Sequence, residues 1–167
     1  MIVFRTLLPA LILTGSLSLS ANHTEASEAE TMPGVVLKSQ TLVSEGKPRD
    51  AIALLRDHLA RQPDSIGVEE ALINLLINSD FLGEASNRLA SRSDNGINIE
   101  DQQTALNSKL NRILSNDKVV TVFVQKRIEL QDFDTAILVL DRALPRYPSR
   151  DADFFTLKGE ALYKKND

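Results

Sequence analysis

The sequence predicts an all-α fold, on three observations. Apolar residues recur three and four positions apart through most of the chain, which is the spacing of one helical face. Leu, Ala and Ile are abundant, and these favour helices over short, β-branched strands. Breakers are few, with only seven Gly and six Pro in 167 residues. The 43% apolar and 25% charged content is that of a globular domain large enough to bury a core.

The first element is a leader. Arg5 gives a basic start, residues 7–13 are almost wholly apolar, and Gly15, Ser16, Ser18, Ser20 and Ala21 are small. This is the three-zone pattern of a signal peptide, expected to span residues 1–21 with cleavage after Ser20 or Ala21, or later after Ala26. The apolar run is about 15 residues and diluted by serines, whereas a spanning helix needs about 20. A membrane association is therefore expected only through an uncleaved leader. Leu13-Thr14-Gly15-Ser16 has the outline of a lipobox, but serine stands where the lipidated thiol must be. Periplasmic or secreted localisation follows. Residues 22–32 carry Glu25, Glu28 and Glu30 and read as a disordered acidic spacer. Within it, Asn22-His23-Thr24 fits a glycosylation sequon.

From residue 33 to 167 the chain reads as eight helices, near 34–45, 48–62, 67–79, 82–92, 101–115, 118–130, 133–145 and 152–165. Two share a plan. A turn at Gly46-Lys47 leads into Ala51, Ile52, Leu54 and Leu55, and Pro63 follows twelve residues after Ala51. Similarly, Gln131-Asp132 leads into Ala136, Ile137, Val139 and Leu140, and Pro148 follows twelve residues after Ala136. In each a small residue near the helix start permits close packing, and the proline ring closes the helix. Ala85 stands 34 residues after Ala51.

These segments resemble the tetratricopeptide repeat family, whose unit is a pair of antiparallel helices in about 34 residues. Ala51 to Pro63 and Ala136 to Pro148 match its second helix, with Ala143 a further small contact. His58 stands where Ala143 does, so that hairpin must splay or turn the imidazole outward. The unit around Ala85 is degenerate, with Arg92 at a usually small position and no closing proline. Phe155, Gly159, Leu162 and Tyr163 fit the family's first helix. The resemblance implies a right-handed solenoid of helical hairpins, the last one incomplete because Asn166-Asp167 is read as the turn after a first helix. Phe155, Leu162 and Tyr163 would then be partly uncovered, through truncation or because another subunit lies there.

The period is interrupted. Ala85 to Ala136 is 51 residues, one and a half units. The surplus lies between the Asp94-Asn95-Gly96 turn and Asn116-Asp117. Leu106, Leu110, Ile113 and Leu114 mark an extra, unpaired helix there, near 101–115. Val119-Val120-Thr121-Val122-Phe123-Val124 could form a strand on propensity, but helix is preferred because the best repeat match follows it directly.

Chemistry is sparse. Without cysteine there is no disulfide, thiolate metal site or thiol nucleophile. His23 and His58 lie in different segments, so imidazoles cannot gather a metal. The glycines are scattered rather than set in a phosphate loop. Glu69-Glu70 and Asp151, Asp153 read as exposed acidic helix starts, favoured by the helix dipole. No enzyme, cofactor or small-molecule substrate is expected. The formal charge of −4 becomes −5 without Arg5, leaving 18 basic against 23 acidic residues. With no basic run, nucleic acid is not an expected partner.

What the resemblance implies is protein or peptide binding in a concave groove lined by the first helix of each unit. The groove candidates are Val36, Gln40 and Val43, then Glu70, Asn74, Ile77 and Asn78, then Thr121, Gln125, Ile128 and Glu129, and finally Thr156, Glu160 and Tyr163. Asn74 and Asn78 are four apart, on one helical face, where their amides could meet a peptide backbone; a solvated polar stripe would have the same pattern. Val36 and Glu70 stand where a carboxylate-clamping lysine would help. The expected function is a non-catalytic scaffold for protein partners in envelope or secretion-complex assembly. The alternative is an N-terminal fragment of a longer repeat protein whose downstream region carries export or catalysis.

Overall fold

The computed structural model describes residues 32–166, and side chains from residue 34 onwards. The leader and nearly all of the spacer lie outside the described residues. Eight α-helices follow one another: α1 (Met32–Ser44), α2 (Pro48–Arg61), α3 (Ile66–Asn78), α4 (Leu82–Asp94), α5 (Glu100–Ile113), α6 (Asp117–Glu129), α7 (Phe133–Ala143) and α8 (Asp151–Asn166). Two 3-10 turns, Leu144–Arg146 and Pro148–Arg150, join α7 to α8. Among the described residues there is no strand.

Local sequence explains several boundaries. Pro48 opens α2, where its missing N–H would be unpaired in any case, while Arg61 sits in the last turn, where positive charge suits the dipole. Asn116 caps α6 by accepting from the Lys118 N–H at 2.8 Å. Asp132 caps α7 by accepting from the Thr135 N–H at 3.3 Å. Each satisfies an end donor that the helix cannot pair itself. The valine-rich segment 119–124 is helical, with Val120, Val124 and Ile128 making one buried stripe four residues apart. Tertiary burial overrides β propensity here, and the strand alternative falls.

Three details depart from expectation. Helix α7 stops at Ala143, because Pro145 rather than Pro148 breaks the ladder; Pro148 instead opens the second 3-10 turn. Asn166 is still helical, so no turn begins there. His58 does not turn outward. It is only 2% exposed, packed in the core, and its Nε2 has no hydrogen-bond partner.

Packing runs mainly between neighbours in sequence: α1 with α2, α2 with α3, α3 with α4, α6 with α7, and α7 with α8. A single extended core of Leu, Ile, Val and Ala side chains joins them, with Phe154 the largest fully buried residue. The most extensive contact between helices distant in sequence is that of α4, which packs directly on α7. There Gly83 N–H donates to Thr135 Oγ1 at 2.9 Å, and a Cβ on Gly83 would collide with the backbone of Asp134 and Thr135. Helix α5 stands apart from the hairpins and lies against α3, α4 and α6. Tyr147 OH donates to Leu114 O at 2.6 Å, fastening the α7–α8 connection to the residue that ends α5. One left-handed residue sits in each of the α1–α2, α3–α4 and α6–α7 turns: Gly46, Asp80 and Gln131, with φ of 77°, 65° and 59°. The first two are 34 residues apart and the next two 51, the same intervals as the alanines.

Candidate functional site

Helices α1 and α3 pack side by side and leave a cleft of about 470 Å³ between their outer faces. The core takes Val35 from α1, and Val68, Leu72, Ile73, Leu76 and Ile77 from α3, while the buried Ser39 lies at the base of the cleft. What remains on the outside follows from helical phase. Val36, Gln40 and Val43 from α1 line the cleft opposite Glu70, Asn74 and Asn78 from α3. Ala71 and Leu75 form part of its floor. Six of the expected groove residues therefore share one surface. Ile77 does not, since it is 3% exposed and points into the core.

A buried cation holds the cleft's only carboxylate from behind. Arg92, 5% exposed, places NH2 2.8 Å from Glu70 Oε1, while the Glu70 side chain remains half exposed. Arg92 Nε and NH1 have no hydrogen-bond partner. Beside it, Arg88 binds Glu69 through both carboxylate oxygens at 3.0 and 3.1 Å and reaches Glu84 at 3.0 Å; Glu84 also accepts from Arg56. Burial works to raise the Glu84 carboxyl, but hydrogen bonds from Arg56 and Arg88 outweigh it and hold the group below its ordinary value. Arg88 is likewise opposed by burial but raised by Glu84 and Glu69. Thus Glu69 is not an exposed helix start. It is a partly buried ion-pair member, and Arg92 is the partner of Glu70 rather than a misfit.

The groove expected to continue towards α6 and α8 is interrupted by α5. Lys109 Nζ donates to the carbonyls of Ile77 and Asn78 at 3.1 and 3.0 Å, at the end of α3 where helix carbonyls lack intrahelical partners, and pairs with Asp80 at 2.7 Å. At its other end Gln102 Nε2 lies 3.4 Å from Glu70 O and 3.5 Å from Asn74 Oδ1. A second cleft of about 410 Å³, polar and lined by Glu70, Asn74, Asn98, Glu100, Asp101 and Gln102, separates this end of α5 from α3.

The α6 and α8 candidates are placed elsewhere. Gln125 and Glu129 are exposed, with Glu129 3.1 Å from Lys126 Nζ, but Ile128 is 6% exposed and belongs to the core. Ile128 and Glu129 line a separate cavity with Gln131, Phe133 and Lys164. Thr121 and Thr156 donate back to their own helices at 3.1 and 2.8 Å, and Glu160 pairs with Lys164 at 2.8 Å. Tyr163 is 70% exposed on the outer face of α8. None of these lines the cleft shared by α1 and α3.

Sequence reasoning missed the Arg88–Arg92 pair behind the cleft. Its signal was present as Glu84 and Arg88 four apart, facing Glu69-Glu70 one helix earlier. Among the described residues no group of three or more His, Asp or Glu is placed to hold a metal, and no helix is long and apolar enough to cross a membrane. No protein-family model matches the chain, and no curated protein or solved structure matches it either.

Proposed function

We propose that the chain is a non-catalytic scaffold of tetratricopeptide-like hairpins that holds an extended segment of a protein partner in the α1/α3 cleft, outside the cytoplasm. The observation that carries this reading is the convergence of Gln40, Asn74 and Asn78 amides on one open cleft with apolar Val36 and Val43 at its rim. An amide offers a donor and an acceptor together, which is what an extended backbone needs from a surface that cannot supply a strand edge. Glu70, held by Arg92, adds a fixed negative charge, so a basic side chain on the segment suits this site. Support for the repeat itself lies in the paired helices and in left-handed turns set at 34 and 51 residues. The extracellular placement rests on the leader-like first 21 residues.

The test is site-specific. A photo-crosslinking residue at Asn78 in the full chain is expected to capture a partner from envelope extracts. Asn74→Ala with Gln40→Ala should abolish that capture while leaving the thermal transition in place. Capture of the same proteins from Ser115, an exposed position in the turn after α5, or no capture at all, would sink the proposal.

A further inference from the structure

Arg92 uses little of its hydrogen-bonding capacity. A guanidinium presents N–H donors on all three nitrogens and keeps its charge at any ordinary pH. Arg92 is 5% exposed, yet its NH2 alone has a partner, Glu70, while Nε and NH1 have none. Unpaired donors are costly on any buried group and most costly on a charged one. The same side chain lies at the base of a cleft of about 420 Å³ between the start of α3 and the end of α4. This cleft shares no lining residue with the one between α1 and α3. Pro63, Ile66 and Ile97 give it apolar walls, and Ile66 is 57% exposed. Ser91 and Asn95 are its polar members, and Asn95 follows Arg92 by three residues, which keeps them close to one face. The charges are two carboxylates, Asp64 and Glu69, and two cations, Arg88 and Arg92. Arg88 already holds both oxygens of Glu69, and Asp64 is exposed to water. The buried cation is thus left short of acceptors, next to exposed apolar surface.

We propose that this cleft binds a small organic acid. Its carboxylate accepts from Arg92 and from the Asn95 amide, and its short apolar body lies on Ile66, Pro63 and Ile97. A carboxylate suits the site better than a phosphate. It brings a single charge into a cleft where Asp64 and Glu69 already stand, and its planar pair of oxygens matches a guanidinium. The volume is near the lower end for ligand cavities, which is room for a small acid rather than a chain segment. Nε and NH1 are covered, so the acid reaches them by a rotation of the Arg92 side chain at the cleft base. Glu70 is half exposed and follows this movement. Arg92 is already out of water, so the acid's own desolvation is what opposes the pairing. Nothing in this depends on the α1/α3 cleft, and the two sites succeed or fail separately.

The experiment is a titration of the full chain with isocaproate, followed through the Arg92 Nε–H and Ile66 methyl signals in NMR spectra. Isocaproamide, which has the same shape without the charge, and sodium chloride are the comparisons. Isocaproate should shift both signals saturably, and the amide and the salt should not. Asn95→Ala removes one donor and should weaken binding about threefold to tenfold. Ile66→Asp sets a like charge beside the acid at an exposed position and should weaken binding about tenfold or more. Both variants should keep the parent's melting temperature. Arg92→Gln should abolish binding, but it also removes the tie to Glu70 and should melt lower, so the two surface variants carry the test. Arg92 and Ile66 signals that stay unchanged at high acid concentration overturn the proposal, because water then suffices for the two nitrogens. An equal response to isocaproamide overturns it as well, and so does undiminished binding by Ile66→Asp.

Discussion

Gly83 and Thr135 meet backbone to side chain at 2.9 Å, 52 residues apart in sequence, and their contact sets how α4 lies on α7. The geometry admits no side chain at 83. Gly83→Ala must push α7 away along its first turn, so a loss of about 3 kcal/mol or more is expected, within the range of core overpacking. Thr135→Val keeps the shape but leaves the buried Gly83 N–H unpaired, at about 1–3 kcal/mol. Urea titrations of both variants test this. A Gly83→Ala chain as stable as the parent would show that α4 and α7 do not pack this closely.

His58 is buried with Nε2 unpartnered. His58→Leu removes a polar atom that has no hydrogen bond and keeps comparable volume. A gain of about 1 kcal/mol is expected, whereas His58→Ala should cost about 2–4 kcal/mol through the cavity it leaves. Thermal melts of the two variants should move in opposite directions.

Two carboxyls give opposite pH dependence. Glu84 is held low by its arginines despite burial, so its contribution is present above the ordinary carboxylate pKa and is lost as pH falls through the lowered folded value. Glu84→Gln should destabilise the chain at neutral pH and flatten the acid limb of the stability curve. Asp132 is raised, because burial outweighs the help of Thr135 and Arg127. Its folded form binds a proton more readily than its unfolded form, so it adds stability on acidification and gives that up as pH rises through the raised folded value. Asp132→Asn, which preserves the cap on Thr135, should remove this opposite trend and be close to neutral at pH 7. Stability measured from pH 3 to 8 separates the two.

Lys109 ties α5 to the end of α3. Lys109→Met keeps the stem but leaves the Ile77 and Asn78 carbonyls without their ammonium and Asp80 with the looser Arg127 alone, at about 1–3 kcal/mol. Hydrogen exchange should rise first in α5 and the last turn of α3. Uniform loss of protection across all helices would contradict a local role.

Helix existence was legible because burial here is regular. Val120, Val124 and Ile128, or Ala51, Leu55 and Leu59, fall on one face whatever else surrounds them. Half the candidate cleft was legible for the same reason, since the residues of α1 and α3 left outside a helical core stripe are those of an accessible face. Ile77 and Ile128 were misplaced by about one helical position, since a neighbour of a groove residue on a helix is as readily inside as outside. The docking of α5 on α3 was not legible. The buried stripe of Leu106, Leu110 and Ile113 shows that α5 is packed but not against what, and the contacts that choose α3, Lys109 on two carbonyls and Gln102 beside Glu70 and Asn74, carry no periodic signal. Nor was the α4–α7 contact, whose one marker is a glycine within a helix. The Glu70–Arg92 pair was visible only as charges on two helices whose relative phase the sequence does not state.

Asp80 combines a left-handed turn with two cations, Lys109 of α5 at 2.7 Å and, more loosely, Arg127 of α6 at 3.8 Å. The surplus segment thus leaves the α3–α4 hairpin and returns to the corner where that hairpin turns. Helix α5 and the helix that follows it are anchored at a common point, so the inserted length is held against the α3–α4 turn. Glycine would suit the backbone at residue 80 better, but it would cast off both moorings together.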